Sequence, residues 1–410
     1  MPLLLLAACT APAEGTAERS PGTSQPPATS TATTPPEPEG FTLVATGDVL
    51  IHQGLSLTAG ALQDDGTYDF SGVLAPVAPM ISAADLAICH LETPVAPPGG
   101  PFRGYPSFAV QPEIIDALAG AGYDECSTAS NHSLDDGTDG LVRTLDALDA
   151  AGIGHAGTYR SPAESESPQI LDVHGIRVAH VAGTFGLNGR SAPAGREWSV
   201  EVDPAPDVDG LLAAAARARA AGADIVVASL HCCVEYRHDP TDAQVAAVHA
   251  LLASPDIDLV LGHHAHVVQP FERIDGEWVA YGLGNFVAEM ARQGDPYDEV
   301  AARFTFTRGA DGRFAVTKAE AVPLHVDVLG GRVAVVPADP AAFARVAEVV
   351  GRRGCGRSGA GRRPRLNPSR ALGSQTPDPQ TLQEFLCPPR PPRPPFPLSG
   401  FRPGRRRCRR

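Results

Sequence analysis

The sequence predicts an α/β protein built on a largely parallel sheet with added antiparallel hairpins. Short apolar segments alternate with longer amphipathic or alanine-rich segments, a pattern typical of parallel sheets covered by helices. With 410 residues, 43% hydrophobic and 20% charged, the chain can bury a sizeable core, which excludes wholesale disorder. No apolar run approaches the ~18 residues of a membrane-spanning helix, so a polytopic membrane protein is excluded as well.

Proline, glycine and turn residues bound the individual elements. Pro112 suits the first turn of a helix that Gly122 ends, and Gly152 ends a second helix over 137–151. Two further helices are predicted over 211–221 and 241–253. Strands are predicted over 41–46, 85–90, 123–128, 225–230 and 259–261, and hairpins over 170–182, at Asp275-Gly276 and at Asp311-Gly312.

The segment before this body has the composition of a targeting element. Leu6-Ala7-Ala8-Cys9 follows a short apolar run and looks like a bacterial lipobox, in which the cysteine is lipidated. Residues 1–9 are therefore assigned as a signal remnant. Residues 10–40, rich in Pro, Thr and Ser, are assigned as a tether. We expect a lipid anchor on Cys9 that holds the protein on the outer face of the cytoplasmic membrane, at the bacterial cell surface.

The charge is divided unequally between the body, residues 41–350, and the tail, residues 351–410. The tail holds 15 of the 33 Lys and Arg residues and two of the 47 acidic ones, which makes it strongly basic and the rest of the chain strongly acidic. A basic segment can be a polyanion-binding arm. The tail's many prolines and lack of aromatic–basic alternation favour a disordered appendage instead. The acidic body makes nucleic acid an unsuitable partner.

The residues that can support chemistry are concentrated where the predicted strands end, which is where ligands bind in such sheets. Five successive strand ends that each offer Asp, Glu, Asn or His are hard to explain as packing, so we predict a metal or catalytic site. In chain order these residues are Asp48; His90 and Glu92; Asn131, His132 and Asp135; His231 and Glu235; and His263, His264 and His266.

The types of these residues narrow the chemistry. Carboxylate, imidazole and amide oxygen together suit Mn, Fe or Zn, and a carboxylate can bridge two such ions. Enough groups for two divalent ions are present in Asp48, Glu92, Asn131, His231, His264 and His266. His132 is a candidate proton donor to a leaving group, provided that a carboxylate such as Asp135 orients it.

The residues that other catalytic mechanisms require are missing from the sequence or lie outside the candidate loops. The sequence has no Gly-x-Ser-x-Gly nucleophile and no phosphate-binding loop, and its single lysine, Lys318, lies outside the candidate loops, which argues against a Schiff base. Cys89 and Cys126 lie in apolar strands and are interpreted as buried thiols. Cys232-Cys233 is interpreted as a structural or incidental pair, because two adjacent cysteines are too few for a zinc ribbon.

These motifs resemble a known family, the poly-γ-glutamate capsule-synthesis (CapA-type) proteins. The resemblance covers about residues 41–300 and is carried by five motifs in the right order. They are Thr46-Gly47-Asp48-Val49, Leu91-Glu92-Thr93-Pro94, the run from Ala129 to Asp135 with Asn131-His132, the run from Gly262 to Gln269 with His264-Ala265-His266, and Tyr281-Gly282-Leu283-Gly284-Asn285-Phe286. The family is related to the calcineurin-like metallophosphoesterases, which implies a four-layer α/β/β/α sandwich with a dinuclear metal site.

Residue by residue, the resemblance implies that Asp48 is the first metal-binding aspartate and Glu92 the bridging carboxylate. Asn131-His132 corresponds to the Asn-His motif, His231 to the isolated metal histidine, and His264 with His266 to the closing pair. We expect His52, His90, Glu235, His263 and Asn285 to support these ligands. The sequence departs from the superfamily at Leu50, where a histidine ligand would stand, and has Cys233 where the family often has glycine.

The leading hypothesis is a cell-surface, metal-dependent hydrolase that acts on capsule or envelope polymer, with poly-γ-glutamate as the family's named polymer and other capsule-synthesis subunits as partners. An alternative from another class is a non-catalytic subunit that binds or tethers the anionic polymer at the membrane. A third hypothesis, a phosphoesterase for an unrelated small substrate, would use the same site.

Overall fold

Two β-sheets form the centre of the protein. The computed structural model describes residues 39–54, 60–288, 298–329, 332–355 and 383–384. The strands are β1 (Gly40–Leu50), β2 (Leu86–Leu91), β3 (Glu125–Ser127), β4 (Gly154–Ala156), β5 (Ile170–Val173), β6 (Ile176–Thr184), β7 (Ile225–His231), β8 (Leu259–His263), β9 (Phe271–Ile274), β10 (Glu277–Ala280), β11 (Asn285–Ala288), β12 (Asp298–Arg308), β13 (Phe314–Leu329), β14 (Arg332–Pro337), β15 (Gly354–Cys355) and β16 (Gln383–Glu384).

Helices flank these strands in the described part of the chain. They are α1 (Ser71–Leu74), α2 (Ala78–Ile81), α3 (Glu113–Ala121), α4 (Gly137–Ala151), α5 (Pro162–Ser165), α6 (Asp209–Ala220), α7 (Asp242–Ala253) and α8 (Pro340–Val350), with a 3₁₀ turn at Glu197–Ser199. None of the helices described is long and apolar enough to cross a membrane.

The first sheet has the strand order β14-β13-β12-β1-β2-β3-β4, with β11 also paired to β1 and β16 to β13. Strands β1 to β4 are parallel, whereas β12, β13 and β14 are antiparallel to their neighbours. The second sheet has the order β15-β9-β10-β8-β7-β6-β5, and its parallel centre is β6, β7, β8 and β10. The strand–helix alternation in the sequence thus corresponds to two mixed sheets rather than one.

Three apolar clusters show how the layers stack. Val44 of β1 belongs to a cluster with α3 and α4, whereas its neighbour Leu43 packs between the two sheets. In β8, Leu261 faces the same inter-sheet cluster and Val260 faces α6 and α7. Because alternate residues of a strand point to opposite faces, each sheet has helices on one face and the other sheet on its second face. The α/β/β/α sandwich implied by the family resemblance is confirmed.

The predicted helices and strands occur close to their predicted positions, and α4 spans 137–151 as expected. The two glycine-ended helices terminate as predicted, because Gly122 and Gly152 adopt left-handed backbone conformations there. Cys9, the rest of the predicted signal remnant, the tether up to residue 38 and most of the tail lie outside the described residues. Within the tail, β15 pairs with β9 and β16 with β13.

The interpretation of Cys89 and Cys126 as buried thiols is wrong. Both are buried, but they form a disulfide that joins neighbouring strands β2 and β3, where the two residues are register partners. Cys232 and Cys233 also form a disulfide, with each other. Burial in an apolar strand looks the same in sequence for a thiol and for a half-cystine, so the sequence pattern did not distinguish them.

Candidate metal centre

The carboxyl ends of the two sheets meet, and this brings the predicted site residues together. In the first sheet Asp48 pairs in register with His90, and in the second sheet His231 pairs with His263. The backbone just before Asp48 passes very close to that of Gly284. A Cβ atom on Gly47 would lie 2.1 Å from the carbonyl oxygen of Gly284. Glycine is therefore required directly before the first carboxylate of the site.

Asp48 is held by hydrogen bonds from the end of β8 and from the loop that follows it. Its Oδ1 lies 3.2 Å from Nδ1 of His263, and its Oδ2 accepts from the backbone N–H of His264 at 3.1 Å. Nδ1 of His266 lies 3.3 Å from Oδ2. Burial alone would raise the pKa of Asp48, but the contacts with His263 and His266 outweigh burial and lower it well below its usual range. Leu50, at the superfamily's histidine position, is buried in the apolar core and offers no ligand.

Glu92 is equally buried and is held quite differently. Within the described residues, neither of its carboxylate oxygens accepts a hydrogen bond, and its nearest cationic partner is Nε2 of His266, 3.9 Å from Oε1. Burial raises the pKa of Glu92 to about 7, against the opposing effect of His266. An unpaired buried carboxylate is costly, which favours a position beside a positive charge.

Two candidate cation positions share Glu92. At the first position, ligand atoms of Asp48, Glu92 and His266 all lie within 4.8 Å of one another. At the second position, the same is true of ligand atoms of Glu92, His231 and His264. Asn131 adds an amide oxygen to the second position, 2.9 Å from Nε2 of His231. The orphaned oxygens of Glu92 and this mixture of oxygen and nitrogen donors are compatible with a metal site.

The histidines of the cluster are in different electrostatic environments. Burial lowers the pKa of His90 and His231 well below the usual range, and neighbouring histidines add to this effect. Burial and His266 lower the pKa of His264 to about 3. Burial also acts to lower the pKa of His266, but Glu92 and Asp48 outweigh it and raise the pKa to about 9. Without a metal, His231 and His264 are therefore neutral, as metal ligands must be, whereas His266 would lose its proton to bind an ion.

His132 lies beside this cluster with one ring nitrogen engaged. Its Nδ1 is 2.6 Å from Oδ2 of Asp135, which also accepts from the backbone N–H of Phe108. The ring of Phe108 packs edge-on against His132, at 4.8 Å between centroids. His132 is therefore held in one orientation by a buried carboxylate and an aromatic contact.

The sequence of this site has counterparts in known proteins. Residues 42–290, more than half of the chain, match the family described as "Bacterial capsule synthesis protein PGA_cap". The chain belongs to this capsule synthesis family. Its motifs for Asp48, Glu92, Asn131 and His264 all lie inside the matched region.

Two curated relatives of this capsule synthesis chain come from Bacillus. It is 26% identical over 244 residues to "PGA biosynthesis protein CapA" of Bacillus subtilis, which covers 59% of this chain and 63% of the relative. It is 29% identical over 182 residues to "Capsule biosynthesis protein CapA" of Bacillus anthracis, 43% of each chain. The alignments thus span less than two thirds of either relative.

Among solved structures, a calcineurin-like phosphoesterase from Bacillus subtilis is similar with 14% identity and a TM-score of 0.39, over 75% of this chain and 96% of that one.

The remaining predicted residues of this capsule synthesis family member lie at different distances from the cluster. Oδ1 of Asn285 is 2.8 Å from Nδ1 of His266, and the rings of His90 and His263 stack at 4.1 Å. Glu235 is exposed, with one carboxylate oxygen within 4.8 Å of ligand atoms of His264 and His266. His52 packs against Phe108 instead. The roles of all these residues stay predictions.

Sequence reasoning missed two residues that lie in the loop after β6. The ring of Phe185 lies 4.7 Å from that of His264, and Oδ1 of Asn188 accepts from Nδ2 of Asn131 at 3.1 Å. The sequence pattern predicts this strand only as half of a hairpin, which does not mark its carboxyl end as part of the site. The rule that strand ends carry the site would have pointed to this loop.

Proposed function

We propose that this capsule synthesis family member is a metal-dependent hydrolase that acts on an envelope polymer, with poly-γ-glutamate as the first candidate substrate. The observation that carries the proposal is Glu92, a buried carboxylate that accepts no hydrogen bond from the described residues and is shared between two groups of candidate ligands. A buried carboxylate with a purely structural role would be expected to accept hydrogen bonds from protein donors.

The residues divide into two ligand sets and a proton donor. Asp48, Glu92 and His266 would hold one ion, and Glu92, Asn131, His231 and His264 the other. Bound divalent ions would supply an activated water and stabilise developing negative charge. Asp135 fixes the ring of His132 through Nδ1, which leaves Nε2 as the atom that delivers a proton to the leaving group.

We also propose that the protein acts at the cell surface, anchored by lipid on Cys9, together with other capsule-synthesis subunits. The support is the lipobox-like segment and the tether-like composition after it. The full chain should fractionate with membranes, and Cys9→Ser should abolish lipid attachment without changing the fold. Wild-type protein found in the cytosol with Met1 intact would contradict this location.

Metal analysis and hydrolysis assays on the same protein sample test the main proposal. After reconstitution with Mn, Fe or Zn we expect about two ions per chain, as in dinuclear hydrolases. Cleavage of a generic phosphodiester or of poly-γ-glutamate should depend on those ions. Binding of poly-γ-glutamate without any cleavage would support a tethering subunit instead, and cleavage of the phosphodiester alone would support a phosphoesterase for another substrate.

A further inference from the structure

A buried histidine connects the predicted ligand His231 to the first sheet. The ring of His90 lies between Ser127 and His231, with Nδ1 2.7 Å from Oγ of Ser127 and Nε2 2.9 Å from Nδ1 of His231. The hydroxyl of Ser127 donates to the carbonyl oxygen of Cys89 at 3.4 Å. His90 and Ser127 are register partners on β2 and β3, and both are fully buried.

The hydrogens in this chain of contacts can be counted. A neutral imidazole carries one hydrogen on its two ring nitrogens, and only one hydrogen can lie between Nε2 of His90 and Nδ1 of His231. If His231 uses the lone pair of Nε2 to bind a cation, its hydrogen is on Nδ1 and is donated to His90. The hydrogen of His90 is then on Nδ1 and is donated to Ser127, whose own hydrogen goes to the Cys89 carbonyl. Every donor in this order has an acceptor.

The opposite order would disable the ligand. A hydrogen on Nε2 of His90 would leave Nδ1 of His231 as the acceptor and place the hydrogen of His231 on Nε2. That hydrogen would point at Oδ1 of Asn131, 2.9 Å away, and the lone pair needed for a cation would be lost. The direction of the contact between the two histidines therefore decides whether His231 can be a ligand.

We propose that His90 is a positioning residue, which holds His231 in the tautomer that presents Nε2 to a divalent cation. The inference rests on the proposed metal site and adds a role for a residue outside the two sets that share Glu92; one of its ring nitrogens also lies within 4.8 Å of ligand atoms of Asp48 and His263. The second ring nitrogen of a metal-bound histidine usually donates to a carboxylate, a carbonyl or water. In this chain an imidazole, itself oriented by Ser127, fills that position.

Two substitutions of His90 and one control separate positioning from packing. His90→Leu removes the acceptor for His231, whereas His90→Gln keeps an amide oxygen that can replace it. The control is His180→Leu, because His180 is also buried and lies 2.9 Å from a serine hydroxyl, Ser229, without contacting a ligand. Titration calorimetry of the metal-free full chain with Mn²⁺ and with Zn²⁺ gives the affinities directly.

For one of the two ions, we expect His90→Leu to weaken binding about 10- to 100-fold, the usual effect of losing such a partner. His90→Gln should recover most of the affinity, and His180→Leu should keep it. Unchanged affinity in His90→Leu, or an equal loss in His180→Leu, would overturn the inference.

The wild-type protein gives an independent measurement that needs no variant. In the Zn²⁺-loaded chain, ¹⁵N NMR of the histidine rings should find the hydrogen on Nδ1 of His231, with Nε2 of His90 as its acceptor. A hydrogen on Nε2 of His90 would overturn the inference. Ions that bind without any hydrolysis would contradict the proposed function alone, whereas hydrolysis with unchanged affinity in His90→Leu would contradict only the role of His90.

Discussion

Asp48 lies near the end of β1 and Glu92 directly follows β2, and both are buried, but the protein treats them in opposite ways. Asp48 has three donors from His263 at the end of β8 and from the loop after it, and Glu92 has none among the described residues. Asp48 is therefore oriented by the protein itself, whereas Glu92 is left open for a positive charge. A buried carboxylate without donors is expected to cost stability, as groups at functional sites commonly do.

Replacing Glu92 should have the largest effect, because both candidate ion positions share it. In Glu92→Gln we expect the metal content to fall from about two ions per chain to nearly none, with loss of hydrolysis. The matched control is Glu125→Gln, which changes another fully buried glutamate with one oxygen free of hydrogen bonds. Elemental analysis after reconstitution measures both. Two ions retained in Glu92→Gln would mean that Glu92 is not the shared ligand.

Replacing His132 should lower the turnover rate without changing the metal content of the site. A proton donor typically contributes about 10²- to 10⁴-fold to rate, so His132→Ala should slow hydrolysis by that factor while metal content stays the same. Asp135→Asn should have a smaller effect of the same kind, because it disturbs the orientation of the ring only. If His132→Ala loses metal in proportion to activity, His132 is a ligand rather than a donor.

The two carboxylates should also respond differently when the metal-free protein is unfolded in urea. In Asp48→Asn at least one of the three donors loses its acceptor, which costs about 1–3 kcal/mol of unfolding free energy. In Glu92→Gln no hydrogen bond from the described residues is lost, and the buried carboxylate is removed together with its 3.9 Å ion pair to His266, so the free energy of unfolding should change by less. A comparable loss in both variants would show that Glu92 has protein donors after all.

The smallest effect is expected from deleting residues 385–410, which are remote in sequence from Asp48 and Glu92. Residues 385–410 are dominated by proline and arginine and have little apolar area to bury against the entropy of ordering. Their deletion should leave the melting temperature and the metal content of the body unchanged. A melting temperature several degrees lower would show that this segment packs on the body.

The ligands could be anticipated from sequence because each follows an apolar run that ends at one edge of a sheet. Asp48, Glu92, His231 and His264 all stand at such positions, and the structure brings them together. The contacts between sheets could not be anticipated, because the sequence does not specify which ring nitrogen meets which partner. The link from His90 to His231 spans 141 residues and depends on how β2 and β7 face each other. The Cys89–Cys126 pairing likewise depends on the register of two strands.

The Cys89–Cys126 disulfide also links the site to the compartment in which the chain folds. It joins β2 and β3 one residue before His90 and Ser127, the two residues that orient His231. Disulfides form and persist in oxidising compartments and are rare where glutathione keeps thiols reduced. In a reducing cytosol, backbone hydrogen bonds and the contact between His90 and Ser127 would join these two strands at this point. The export that we propose would therefore bring the chain to a compartment where this disulfide forms beside the residues that orient His231.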